Sequence, residues 1–161
     1  MAKAAGITIR PFHKTDLDFL VSRQLSLYVS EYGLTFEIWK SYLTGGVHNF
    51  VHNYDSKRDC MYILENYGVP SGCIAIKHVD GATAQLRFYF LEPELREQGA
   101  GRKLMDLVID FCREKKYQHV VLWTFSTLAA ARHLYASRGF QIIDTHVNNE
   151  WGNRSLKNTG Y

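Results

Sequence analysis

LRFYFLEPELREQGAGRKLMDLVIDFC, from Leu86 to Cys112, orders a strand, a proline-marked turn, a glycine-bearing loop and a helix with a basic first turn. Ala84, Leu86, Phe88 and Phe90 alternate with Gln85, Arg87, Tyr89 and Leu91, the period of a strand. Pro93 ends the ladder where a missing N–H does little harm. Beyond the loop, Leu104, Leu107, Val108, Phe111 and Cys112 form one apolar helical stripe. The loop between them suits an anion. The first N–H groups of a helix have no intrahelical partner, and the helix dipole makes that end positive. Gly99 and Gly101 let the backbone approach a ligand, while Arg102 and Lys103 add charge. A lone R-x-x-G-x-G can equally be a plain connection. A dinucleotide fingerprint would need an acidic residue about twenty positions on, and His119 to Val121 offer none.

Outward from this stretch, strands and helices alternate. Ile7 to Phe12 reads as a strand, and Thr15 can cap a helix carrying Leu17, Leu20, Val21, Gln24 and Tyr28, with Gly33 as its stop. Thr35 caps a second helix with Phe36, Trp39 and Leu43, which Gly45–Gly46 should weaken. Cys60 to Asn66 and Cys73 to Val79 read as strands joined by a turn from Tyr67 to Gly72, and Asp80–Gly81 marks a hairpin into the strand already described. His119 to Phe125 is a continuous apolar strand. Leu128 to Ser137 is a short helix that Gly139 stops in a left-handed conformation, and Phe140 to Val147 is a further strand. The tail from Trp151 to Tyr161 has room for a last edge strand, which could pair with a second copy of the chain.

The 161 residues suit a single domain, 1–161, with a real core. Hydrophobic residues make up 46% and charged residues 22%, and the net charge of +3 is too mild to argue for nucleic acid. No apolar run is long enough to cross a bilayer, and MAKAAGITIRPF lacks the apolar core of a signal peptide. Cys60, Cys73 and Cys112 are an odd count without a C-x-x-C, so neither a disulfide framework nor a zinc or other metal site is indicated. These features fit a cytoplasmic protein.

The strand, the R-x-x-G-x-G loop, the amphipathic helix and a second motif, Ala131, Tyr135, Gly139 and Phe140, together resemble the GNAT superfamily of acetyl-coenzyme A-dependent N-acetyltransferases. LYVSEYG near Leu27 to Gly33, LWTFSTLAAARHLYASRGF and Glu150-Trp151-Gly152 look more closely like the acetyltransferase half of MarR-type/GNAT fusion proteins, without their DNA-binding half. The resemblance implies a mixed α/β fold: a twisted, mostly antiparallel sheet of six to seven strands, about four helices, and parallel strands that splay at the cofactor. It implies a pantetheine arm against the main chain of Phe90 and Leu91. The diphosphate would lie on the amides of Arg96, Glu97, Gln98, Gly99, Ala100, Gly101 and Arg102, near Lys103. Leu128 stands where many relatives place an asparagine on the cofactor arm, and Glu97 where many have glycine or a basic residue.

The implied chemistry is acetyl transfer to a primary amine within a ternary complex. Tyr135 matches the family's proton donor; by spacing alone it would pass for a core aromatic. The strand before the loop has no carboxylate to serve as base, so Glu31 and His146 are the candidates, against their plainer reading as solvated surface groups. Loss of the proton directly to water stays open. Tyr28, Tyr32, Phe36 and Trp39 could floor an acceptor cleft, with Trp151 in reach, or could belong to the core. The acceptor can be a small-molecule amine or a protein amine. A non-catalytic acyl-coenzyme A sensor and a DNA-regulating module are the competing readings.

Overall fold

The computed structural model describes residues 6–32, 36–125, 129–141, 144–148 and 156–160. The chain divides into two compact units, one of residues 1–14 with 54–121 and one of residues 15–53 with 122–161.

The first unit holds β1 (Ile7–Pro11), β2 (Cys60–Asn66), β3 (Val69–His78), β4 (Thr83–Leu91), α3 (Ala100–Glu114) and β5 (His119–Val121). Its five strands lie in the order β1-β2-β3-β4-β5. The first four pair antiparallel, and β5 runs parallel to β4. Ser71 to Ile76 are buried without alternation, so both faces of β3 are covered. Helix α3 lies against β2 and β3. Its buried face is Ala100, Leu104, Met105, Val108 and Cys112. Leu107, expected in the stripe, is 36% exposed and Met105 is fully buried in its place. At about 100° per residue, Met105 and Leu107 lie on opposite sides of Leu104, and the sheet covers the Met105 side.

The β2–β3 connection is tighter than its composition suggests. Only Tyr67 and Gly68 form the turn, with φ of 50° and 79°, the left-handed pair that a two-residue hairpin requires. Val69 to Gly72, expected in the turn, begin β3. The register slips between Leu64 and Glu65, which leaves Ser71 as the extra residue of a bulge.

The second unit holds α1 (Leu17–Tyr32), α2 (Phe36–His52), β6 (Trp123–Phe125), α4 (Ala129–Ser137), β7 (Asp144–Asn148) and β8 (Leu156–Gly160). Helices α1 and α2 pack together. Gly45–Gly46 do not interrupt α2, because Trp39, Leu43, Val47 and Phe50 bury one continuous stripe through them. Burial of that stripe outweighs a propensity cost of about 1 kcal/mol per glycine. The three strands form an antiparallel sheet in the order β6-β8-β7.

These pairings correct several sequence expectations. The fold is mixed α/β, but among the described residues the main sheet has five strands rather than six to seven. The apolar run His119 to Phe125 is not one strand. It breaks at Leu122, where the backbone passes from pairing with β4 to pairing with β8. The tail strand is not an edge. Both its sides are taken, by β6 and β7, so it offers no ladder to a second copy. Strand β7 starts at Asp144, because Phe140 belongs to the closure of α4.

Candidate functional site

The loop after β4 is built by an interruption of the strand itself. Cys73 faces Phe90 and Ala75 faces Arg87, so Phe88 and Tyr89 together oppose Ile74. Phe88 takes φ of 58°, the left-handed geometry of a bulge that bends its strand. On the other side, parallel pairing runs from Thr83↔His119 to Gln85↔Val121, while β4 continues to Leu91. Pairing between the two strands thus stops where β5 ends, at Val121, well before the end of β4.

Past Leu91 the chain turns at once. Pro93–Leu95 form a short 3-10 turn, with Leu95 N–H donating to Glu92 O and Arg96 N–H to Pro93 O. Leu95 and Ala100 are each 4% exposed and pin the two ends of the loop between them. Glu97 and Gly99 have φ of 63° and 85°. Alternating left-handed residues of this kind turn successive amides toward one side and form an anion-binding concavity. Among the described residues, the amides from Glu97 to Arg102 have no acceptor, and the first helical bond of α3 is Lys103 N–H to Gly99 O. The expected row started at Arg96, but that amide is used by the 3-10 turn. The Arg96 guanidinium is turned back to the strand, where Nη2 donates to Leu91 O at 3.3 Å.

The charges around this row point the same way. No acidic residue stands in the first turn of α3, where helix stability favours one, and Arg102 and Lys103 are both exposed there. Glu97 is exposed too, so its carboxylate can stay in water. Phe90 and Leu91 have buried side chains, leaving their main chain as the polar part. Such a site can hold a diphosphate on main-chain donors and amide groups of an extended arm along the strand end.

In the second unit, Tyr135 is 4% exposed on α4. Phe140 N–H donates to Tyr135 O and Gly139 N–H to Ala136 O, the paired bonds of a Schellman closure, and Gly139 has φ of 89°. The motif spacing A-x-x-x-Y-x-x-x-G-F is therefore the spacing of a helix end. The aromatic group is partly different from that expected. Trp39 stacks on Tyr42 with centroids 5.1 Å apart and 17° between planes, and Tyr28 meets Trp39 at 5.4 Å. Trp39 is a core residue at 5% exposure, and Tyr42, which the sequence reading passed over, is 45% exposed. Glu31 and Tyr32 end α1 and His146 lies in β7, but their side chains fall outside the described residues, as does that of Phe36. Leu128, Glu150 and Trp151 lie outside them altogether.

Three polar features escaped the sequence. Glu92 is a buried carboxyl-bearing residue one position beyond the strand read as carboxylate-free. Cys73 Sγ lies 2.7 Å from Phe88 O. Asp59, with its carboxylate wholly buried, accepts from Lys77 Nζ, His78 N–H and Asp55 N–H and lies 3.1 Å from His78 Nδ1. Burial alone would push the Asp59 carboxyl up, but the Lys77, His78 and Asp55 bonds outweigh it and hold the group below its ordinary value. Nothing local marks Asp59, whose partners Lys77 and His78 belong to a neighbouring strand.

A sequence profile of the acetyltransferase (GNAT) family matches residues 25–140. Human N-acetyltransferase 8 is 28% identical over an alignment of 127 residues that covers 73% of this chain and 56% of that protein; the chain thus spans only about half of that relative. In fold it is similar to an acetyltransferase of the GNAT family from Staphylococcus aureus, with a TM-score of 0.75 at 21% identity, covering 95% of this chain and 98% of the other. It is also similar to an acetyltransferase from Clostridium acetobutylicum solved with acetyl-CoA, with a TM-score of 0.68 at 20% identity over 86% of this chain and 92% of that one. A run of amides without an acceptor among the described residues and a basic first helical turn fit the acetyl-coenzyme A that this family uses. By this profile match over most of its length, the chain belongs to the acetyltransferase (GNAT) family.

Proposed function

We propose that this chain is an acetyl-coenzyme A-dependent N-acetyltransferase that acetylates a primary amine by direct attack in a ternary complex, with residues 1–161 forming one catalytic domain. The observation that carries this reading is the row of amides from Glu97 to Arg102, without an acceptor among the described residues, at the start of a helix whose first turn is cationic. The amides of Glu97, Gln98, Gly99, Ala100, Gly101 and Arg102 hold the diphosphate, the Arg96, Arg102 and Lys103 side chains add charge, and the main chain of Phe90 and Leu91 holds the pantetheine arm.

When bound, acetyl-coenzyme A supplies an acetyl thioester whose C–S bond breaks as the amine nitrogen forms the amide. An alkyl-ammonium with a pKa of about 10.4 costs roughly 4.6 kcal/mol to present neutral at pH 7, so a proton acceptor on the amine is worth having. We assign that role to Glu31, with His146 as the alternative. Tyr135 holds a proton at Oη for the departing thiolate; its family motif and its fixed place at the end of α4 support the assignment. Tyr32 and His146 contribute to the acceptor site, whereas Trp39 serves the core, and the mild net charge favours a small-molecule or protein amine over nucleic acid. No helix of the described residues is long and apolar enough to cross a membrane. Three buried free cysteines suit a reducing compartment, and we place the chain in the cytoplasm, where a homodimer would have to use some surface other than β8. The finer likeness to MarR-type/GNAT fusions rests on the LYVSEYG, LWTFSTLAAARHLYASRGF and Glu150-Trp151-Gly152 stretches.

The test is thiol release from acetyl-coenzyme A across a panel of amines, with Tyr135→Phe beside the wild type. A transferase gives amine-dependent release that Tyr135→Phe depresses while coenzyme A affinity holds. Tight coenzyme A binding with no turnover of any amine would favour the sensor reading instead.

A further inference from the structure

Cys73 sits within an otherwise apolar run, Cys73 to Ile76, and is fully buried, yet it makes a polar contact at the point where β4 leaves regular pairing. Its Sγ is 2.7 Å from Phe88 O, and a carbonyl only accepts, so Cys73 is present there as the thiol and donates. Phe88 is the left-handed residue of the bulge, with Tyr89 beside it and Ile74 opposite. A non-glycine residue persists in that conformation only when its surroundings hold it. Among the contacts that do so are the Cys73 thiol on the carbonyl and the Arg87 guanidinium over the Phe88 ring, 4.5 Å from its centroid. The bulge fixes the direction in which Phe90, Leu91 and the following loop leave the sheet.

We propose that Cys73 is a positioning residue for the cofactor strand: its thiol fixes the Phe88 carbonyl and thereby aims the end of β4 at the coenzyme. This rests on the reading that Phe90, Leu91 and the amides of residues 97–102 hold coenzyme A. Cysteine suits the task because it packs as a small hydrophobe while keeping one weak donor. A serine keeps a donor at a higher cost of burial, whereas alanine and valine keep none; alanine leaves the site underfilled and valine overfills it by about one methyl group, so the two bracket the volume of cysteine.

The experiment is calorimetric titration of the full chain with coenzyme A, for wild type, Cys73→Ser, Cys73→Val and Cys73→Ala, with amide chemical shifts of Phe88 to Leu91 and steady-state kinetics alongside. Loss of one hydrogen bond predicts a fall in coenzyme A affinity of roughly 2- to 10-fold in the alanine and valine variants, with a matching rise in the acetyl-coenzyme A KM. The turnover number should change little, and serine should restore both the affinity and the shifts. Should alanine fail to fold, valine carries the comparison. Valine that binds like the wild type, or serine no better than valine, overturns the proposal and leaves Cys73 as packing. Wild type that binds no coenzyme A overturns the cofactor reading and this inference together.

Discussion

Phe140 meets Tyr135 edge to face, with ring centroids 6.0 Å apart and 61° between planes, across the same turn in which Phe140 N–H bonds Tyr135 O. The candidate proton donor is thus held by the closure of its own helix. Gly139 makes the closure feasible, since its φ of 89° is one that residues with a Cβ adopt at a cost of about 1–2 kcal/mol. Gly139→Ala should therefore lower stability by about 1 kcal/mol, or roughly 2–4 °C in Tm for a chain of this size. Gly139→Asn should cost less, because asparagine tolerates the left-handed region better. Thermal melts check both, and an alanine variant as stable as the wild type would refute this account of the motif.

At Gly99 conformation and crowding can be separated. A Cβ built there meets nothing within 4 Å, so the φ of 85° is the whole obstacle to a side chain. Gly99→Ala should either keep the loop at a cost of about 1–2 kcal/mol or let it relax and move the neighbouring amides. In the second case coenzyme A affinity falls on the order of tenfold for each 1.4 kcal/mol lost. Calorimetry with the variant decides; unchanged affinity and unchanged stability together would sink the cradle as described.

Most of the first unit was legible in the chain. Strand β2 spans Cys60–Asn66 as its pattern indicates, and the glycines, proline and basic residues between β4 and α3 announced the loop. The bulge at Phe88 was not legible, because LRFYFL alternates without a fault and a bulge depends on the residue count of the partner strand. The break at Leu122 escaped for a similar reason. A continuous apolar run carries no mark of the sheet each half will join, and β8, the partner of β6, arrives only at Leu156. The helical spacing of Tyr28 and Trp39 suggested an aromatic group, but Tyr42 joins it through stacking that polar neighbours in sequence disguise.

The buried Asp59 should dominate acid stability. Removing one partner from a buried ion pair costs about 3–5 kcal/mol, and the low end applies because Lys77 retains some access to water. Asp59→Asn should then lower Tm by about 6–12 °C near neutral pH. The folded carboxyl titrates below its ordinary value of 3.8, so its contribution is complete above that value and drains away as pH falls through the lower, folded value. Melts as a function of pH should show wild type and Asp59→Asn converging in strong acid. A constant gap down to the lowest measurable pH would show that the charge of Asp59 is not what stabilises this corner.

Alkaline stability should report on two tyrosines of the first unit. Burial pushes the Tyr54 phenol from an ordinary 10.0 to about 12, with the nearby Cys60, Asp59 and Tyr62 adding to it, and Tyr54 meets Phe12 ring to edge at 5.0 Å. Burial also raises Tyr89 to about 12, against an opposing pull from Arg96. A phenol whose folded value lies above its unfolded one stabilises fully below the unfolded value and loses that contribution as pH rises to the folded one. Stability should accordingly fall between about pH 10 and 12, with tyrosinate absorbance of these two rings lagging behind that of exposed tyrosines. Tyr54→Phe removes one titrating group and should make the alkaline decline in Tm shallower. If its decline is as steep as that of the wild type, burial of the Tyr54 hydroxyl is not what couples stability to pH.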